Sequence, residues 1–249
     1  MDKSTLKKVR LFVIFAAMLG GLGLIIKYAD PNPNHSVTPL DPTHPPIATA
    51  KLDPAKLTVQ WPQIVAHAAA PPRGAANTPY TLAEFGDFQC PQCGKARPLL
   101  EKMLAQYPDK INLIFIHRPF SLMHQWAIPA GQASEIAAAQ GKFWPMYDVL
   151  YSHQDDLESG YYANYAGKAG LDSAQFQKAF DAGQGQAQVK AASDFSDALK
   201  IEATPTILVH NNKTGKITIY CGMEGTKNPD NTTQYPGVVA LVANPPWAG

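Results

Sequence analysis

The sequence predicts an α/β fold whose strands and helices alternate around one long helical block. Three observations predict it. Two apolar, β-prone runs, YTLAEF (Tyr80 to Phe85) and KINLIFIH (Lys110 to His117), flank a stretch with leucines and a methionine at helical spacing. A long helical region then runs from about Ala127 to Lys200, punctuated by glycines and polar turns. Two further strand candidates, PTILVH (Pro205 to His210) and KITIYCG (Lys216 to Gly222), are joined by NNKTG, which has hairpin-turn composition.

The chain begins with a different kind of sequence. Lys3, Lys7, Lys8 and Arg10 precede an uncharged apolar run, Leu11 to Ile26. Extended to Ala29 as a helix, the run is roughly 28 Å long, close to the ~30 Å hydrocarbon core of a bilayer. Residues 1–10 are therefore expected to be a cytoplasmic basic tail and 11–29 an uncleaved transmembrane signal-anchor, with everything after Ala29 outside the cytoplasm. A cleaved signal peptide is the rival reading, although Lys27 suits its cleavage site poorly. Residues 30–73 hold ten of the 22 prolines and read as a linker, semi-rigid from Asp30 to Lys56. LTVQWPQIVAHAAA, from Leu57, is more apolar and is expected to be able to pack on the following domain, with Trp61 as anchor.

Composition narrows the class. The 249 residues are 45% hydrophobic and 16% charged, enough for one sizeable core plus accessory segments. The net charge of +1 gives no basic excess for nucleic acid. Three cysteines are too few for a disulfide-rich scaffold, and their odd number leaves at least one thiol outside any internal pair. From residue 74 onward the order is strand, helix (from Pro91 to Tyr107), strand, helical block, strand, strand and a last short helix near Tyr235 to Val242. This is the order of a thioredoxin fold with a helical insertion at about 127–200, long enough to form a subdomain of its own.

Cys90 and Cys93 sit at the start of the first helix, in EFGDFQCPQCG. A thiolate is the nucleophile of disulfide exchange, and a helix N-terminus lowers a thiol pKa through its unpaired amides and positive dipole end. With Cys90 at the N-cap, Pro91 falls on the first helical position, where a missing N–H loses nothing. The amides of Gln92 and Cys93 are then free to face the Cys90 sulfur. Cys90 is the expected attacker and Cys93 the resolving thiol. The competing readings are an inert staple, which a loop this short stabilises little, and half of a metal site, for which no second CxxC or CxxH is present. No metal is expected.

The stretch GAANTPYTLAEFGDFQCPQC, Gly74 to Cys93, resembles the opening of the DsbA-like thioredoxin-fold thiol:disulfide oxidoreductases, especially their membrane-tethered or secreted bacterial branch. Pro98 within the helix, HRPF at His117 to Phe120, QGKFWPMYDVLYSHQDDL at Gln140 to Leu157 and EATPTILV at Glu202 to Val209 extend the resemblance to the C-terminus. It implies that residues 74–249 form one domain and that Pro205 is a cis-proline facing the CxxC. The Thr204 backbone would then receive an extended substrate segment, where the residues alone allow an ordinary trans-proline. It also implies that Glu84 is a partly buried carboxyl relaying protons with Cys93, against a surface glutamate otherwise. Phe88 is expected on the substrate surface, Asp87 and Gln89 at the rim. His117, His124 and Trp126 read as structural, Phe143, Trp144 and Tyr147 as helix core, and Cys221 as a buried apolar residue. Two departures from the family's strong oxidants stand out: Gln92 replaces a histidine before the second cysteine, and Thr204 replaces a valine.

The resulting expectation is an extracytoplasmic thiol–disulfide oxidoreductase, anchored in a bacterial inner membrane, exchanging disulfides with cysteine-containing clients, as an oxidase before a reductase or isomerase. A quinone-linked membrane oxidase, or alternatively an electron donor, is the expected redox partner. No cofactor beyond the disulfide is expected. A tethered chaperone or metal-handling assembly factor is the reading from another class.

Overall fold

A computed structural model describes residues 51–157, 161–227 and 232–248. The basic tail, the apolar run and the linker as far as residue 50 lie outside the described residues. Among the described residues, no helix is long and apolar enough to cross a membrane.

A four-stranded sheet in the order β2-β1-β3-β4 forms the centre, from β1 (Tyr80–Gly86), β2 (Ile111–His117), β3 (Thr206–Asn211) and β4 (Ile217–Cys221). β1 and β2 are parallel, Glu84 beside Phe115, and need a crossover; α3 (Pro91–Gln106) provides it. β3 returns antiparallel to β1, with Phe85 beside Thr206 and Glu84 beside Ile207, and β4 follows through a hairpin. Gly215, at φ 73°, takes the left-handed position of that turn, which only glycine adopts readily.

Both sheet faces are covered, so alternate residues of each strand enter different cores. Leu82, Leu113, Ile207 and Val209 meet Ala96, Leu100 and Met103 of α3, with Val238 and Leu241 of the C-terminal helix α9 (Val238–Ala243). Phe85, Ile114, Ile116 and Leu208 face the other way, toward Ala192 of α8 (Gln186–Ala198). The helical insertion comprises α4 (Ala127–Ala138), α5 (Phe143–Ser152), α6 (Tyr162–Lys168), α7 (Ser173–Asp181) and α8. Its own core holds Phe143, Met146, Tyr147, Leu150, Tyr162 and Phe176, and it includes Cys90 and Cys93. A small hairpin, β5 (Thr226–Lys227) with β6 (Thr233–Tyr235), has no counterpart in the sequence reading; its strands are too short to show a period.

The linker boundary at residue 73 needs correction. From Leu52 the chain is part of the domain. Asp53 caps the short helix α1 (Pro54–Val59) by accepting the Ala55 amide, and α2 (Trp61–Ala66) follows. Leu52, Leu57 and Ile64 are buried among the sheet residues. Trp61 stacks on His210 at 4.1 Å, and the Tyr235 hydroxyl holds the Leu52 backbone. Arg73 exchanges two backbone hydrogen bonds with Leu113 and covers the open edge of β2. The prolines misled because Pro54 and Pro62 occupy first-turn positions of helices, where proline is tolerated.

Ile64 is fully buried, so Ile64→Ala is expected to lower stability by about 2–4 kcal/mol, as loss of a core aliphatic does. Urea unfolding checks this; a change near zero would return the segment to a linker.

Candidate active site

The CxxC lies where β1 ends and α3 begins. Cys90 is the N-cap in extended conformation, φ −69° and ψ 118°, and Pro91 is the first helical residue. Pro91 and Gln92 are exposed, Cys93 is fully buried, and Cys90 keeps a 6% sliver of surface, which makes it the more exposed residue of the pair. Across from it the Thr204–Pro205 peptide is cis, and the Cys90 thiol lies 3.5 Å from the Thr204 carbonyl oxygen, to which it donates.

The two thiols differ in acidity. Cys90 is lowered from the ordinary thiol range to about 6. The hydrogen bond from the Cys93 thiol is the largest cause; the Thr204 side chain and the amides of Cys93 and Gln92 add to it, against burial. Cys93 is pushed well above the usual range, first by burial and then by its hydrogen bond to Cys90 and the nearby charges of Cys90 and Glu84. A charged attacker beside a neutral partner is the arrangement disulfide exchange needs.

Glu84 lies on β1, completely buried. Tyr147 donates to its Oε2 at 2.8 Å, while Oε1 has no protein partner. Burial raises the carboxyl to about 8, with the Tyr147 hydrogen bond opposing and the Cys90 charge assisting. Near neutral pH it is mostly a protonated acid, coupled electrostatically to both sulfurs.

Phe88 requires correction. It is 1% exposed and packs at 5.1 Å from Phe115 and 5.0 Å from Tyr151, so it supports the turn from within and does not line a substrate surface. Asp87 is also not a rim residue: its buried carboxylate accepts the Gln89 and Phe120 amides and faces His124 Nδ1 at 2.7 Å. Gln89 accepts the Trp126 amide at 2.7 Å.

Other supports come from the insertion and carry no motif. Gln154, in a 3₁₀ turn after α5, donates to the Phe88 and Cys90 carbonyls at 2.7 and 2.9 Å. A Cβ at position 94 would collide with Gln154, which explains Gly94 directly after the second cysteine. Tyr151 reaches the Asp87 carbonyl at 3.5 Å. His117 pairs with Glu135 at 2.8 Å, and Cys221 is buried against Thr206. Among the described residues, no group of three or more His, Cys, Asp or Glu side chains is placed to hold a metal ion.

Residues 68–223 match the family described as thioredoxin, which is more than half of the chain. The chain belongs to that family. The catalytic domain of Proteus mirabilis ScsC has a similar fold, with TM-score 0.56 and 22% identity over 71% of this chain and 92% of that one. So does the thiol-disulfide exchange protein alpha-DsbA2 of Wolbachia pipientis, with TM-score 0.56 and 16% identity over 68% and 87%. Among curated relatives, the Na(+)/H(+) antiporter NhaA 3 of Salinispora tropica is 33% identical over 141 residues, 57% of this chain and 22% of that protein. The chain thus spans about a fifth of the length of the curated relatives it matches. The chain is thus a thioredoxin-family protein with a helical insertion, and its Cys90–Cys93 pair stands at the start of the helix that follows β1.

In the reduced protein, alkylation of Cys90 is expected to rise with pH through a midpoint at about 6, with Cys93 unreactive at that pH; mass spectrometry after a brief pulse reads both. The raised Glu84 carboxyl has a stability consequence. Between about pH 4.5 and about pH 8 the folded protein holds a proton that the unfolded chain has released, so its contribution falls as pH rises. Relative to Glu84→Gln, wild type should lose up to roughly 1.4 kcal/mol per pH unit across that window. Parallel urea curves at every pH would show that Glu84 is not a buried acid.

Proposed function

We propose that the chain acts as an extracytoplasmic protein thiol oxidase, passing the Cys90–Cys93 disulfide to reduced client proteins. The observation that carries the direction is the acidity of Cys90 at about 6. A stabilised thiolate favours the reduced form of the enzyme, and a pair stable when reduced is an oxidant when oxidised.

The steps follow from the site. A client thiolate attacks the Cys90 sulfur of the disulfide, and the Cys90–Cys93 bond breaks. Cys93 leaves with the electron pair and, being buried, needs a proton; the protonated Glu84 carboxyl is the coupled acid that supplies it. A mixed disulfide now joins client and Cys90. A second client thiolate attacks the client's sulfur, the client disulfide forms, and Cys90 departs as its stabilised thiolate. The Thr204 backbone beside Cys90 offers the client an extended, strand-like dock. Solvent protons restore Glu84, and an electron acceptor restores the disulfide.

For that acceptor we infer a quinone-linked oxidase of the bacterial inner membrane, with residues 11–29 anchoring the domain beside it. The apolar run and its basic flank support this reading. Against the isomerase reading, residues 52–73 pack on their own domain and supply no separate dimerisation module among the described residues. The chaperone reading leaves the opposed acidities of the two thiols without a use.

The measured reduction potential of Cys90–Cys93 should lie nearer ~−120 mV than ~−270 mV, the values of a strong oxidant and a strong reductant of this fold. Cys90→Ser should abolish oxidation of a reduced client protein. A potential near the reductase end would reverse the direction, and full client folding by Cys90→Ser would end the exchange mechanism.

A further inference from the structure

The two sides of the site come from different elements. Cys90 follows β1, whereas Thr204 lies in the loop that leaves α8 and leads into β3. On the β3 side this loop is fixed by the sheet. Thr206 pairs with Phe85, its hydroxyl donates to the Ala203 carbonyl at 2.8 Å, and the Gly222 amide donates to the Pro205 carbonyl at 2.8 Å. On the α8 side the chain passes through Lys200 at φ 61°, a left-handed conformation that a lysine keeps only where its surroundings hold it. The next residue, Ile201, is fully buried, and its carbonyl accepts a hydrogen bond from Arg118 Nε in the protein interior.

Arg118 is 9% exposed and reaches both sides of the site. Besides the bond to Ile201, its Nη2 meets Asp197 Oδ1 at 2.8 Å in the last turn of α8, and its guanidinium lies 4.5 Å from the centre of the Phe120 ring. Its backbone N–H donates to Gly86, the last residue of β1, at 2.8 Å. The Phe120 amide donates to the Asp87 carboxylate at 2.9 Å, and the Asp87 carbonyl accepts the Cys90 amide at 3.1 Å. A lighter link between the same elements is the Ser196 hydroxyl, 3.2 Å from the His117 carbonyl. One residue therefore ties the strand end that leads into the CxxC turn to the loop that leads into Thr204.

We propose that Arg118 is a positioning residue that sets the substrate range: by holding the Ile201 carbonyl it fixes the Thr204 backbone at the spacing from Cys90 that an extended polypeptide needs, and so favours cysteine-containing polypeptides over small thiols. This inference rests on the reading of the Thr204 backbone as the client dock. The exchange is the same for either substrate: two substrate thiols become one disulfide while the Cys90–Cys93 disulfide becomes two thiols. A small thiol needs only the Cys90 sulfur. An extended client must meet the sulfur and the Thr204 backbone together, so a displaced loop costs the client more. The bond to Ile201 is buried and charge-assisted and is the stronger arm, whereas the Asp197 side chain is 62% exposed and its ion pair is the weaker one. Lysine is no substitute, because an ammonium lacks the planar fork that serves Ile201 and Asp197 at once.

The test gives the oxidised full chain two substrates, dithiothreitol and a reduced, unstructured peptide carrying two cysteines. Arg118→Lys should lower the ratio of kcat/KM for the peptide to kcat/KM for dithiothreitol by at least about fivefold, through a higher KM for the peptide. An unchanged ratio in the folded variant, or an equal loss for both substrates, overturns the proposal. Asp197→Ala removes only the exposed arm and should lower the same ratio by at least about twofold. If Arg118→Lys does not fold, Asp197→Ala decides, and an unchanged ratio there overturns the proposal as well. A wild-type KM for the peptide no lower than that for dithiothreitol defeats the Thr204 dock itself, whereas a wild-type preference that survives Arg118→Lys defeats only the role of Arg118.

Discussion

Keeping one sulfur charged where burial works against charge is the constraint on which this domain is organised. Cys90 has almost no surface, yet its pKa lies near 6. An isolated buried anion would take up a proton. Here the donors come from three directions: the Cys93 thiol one turn along the helix, the Thr204 side chain across the site, and the free amides of the helix start. Each depends on a different part of the fold. The helix must begin at Pro91, the loop before β3 must bring Thr204 alongside, and β1 must end where its residues meet both. The sheet order β2-β1-β3 satisfies this, because β1 lies between its parallel crossover partner and the strand that follows Thr204.

The helical insertion is a working part of the site as well as a cover. Tyr147 on α5 donates to Glu84, Tyr151 on the same helix reaches the Asp87 carbonyl, and Gln154 fixes the Phe88 and Cys90 carbonyls. These contacts use the polar groups of a turn that would otherwise be buried unpaired. Oε1 of Glu84 is an exception at the site: it is buried without a hydrogen-bond partner. A carboxyl fully satisfied by hydrogen bonds to its charged form would stay ionised. With one donor and complete burial, Glu84 holds its proton near neutral pH.

How much of this was legible in the sequence depended on how local each determinant is. The strands at Tyr80 and Lys110, the helix between them and the 205–222 hairpin were readable because apolar period and turn chemistry act within a few residues. The placement of Cys90 at the N-cap, Pro91 at the first helical position and Cys93 within the helix was readable for the same reason: a helix N-terminus is a local object. Phe88 failed because an aromatic beside a CxxC carries no mark of which way it points; its burial depends on Phe115 from β2 and on Tyr147 and Tyr151 from α5. Asp87 and Gln154 escaped because their partners lie in other elements, 37 and 64 residues away in the case of His124 and the Cys90 carbonyl. Proline content pushed the linker boundary too far along the chain, but the apolar run from Leu57, with Leu52 before it, packs on the sheet face once it is there to receive them.

The substitutions at positions 92 and 204 read differently in three dimensions than in one. In a list of motif residues each is a loss, a histidine replaced by an amide and a valine by a threonine. In the fold, Gln92 still contributes its backbone N–H to Cys90, which any non-proline residue at that position would do. Thr204 adds a hydroxyl that a valine of the same shape lacks, and its side chain helps to lower the Cys90 pKa. The acidity of the sulfur is therefore a property of the whole pocket, shared among donors from the helix start, the resolving cysteine and the loop before β3. A change at one of these positions can be offset at another. Reading oxidising strength from the two residues between the cysteines alone treats as local a quantity that the fold assembles from distant parts.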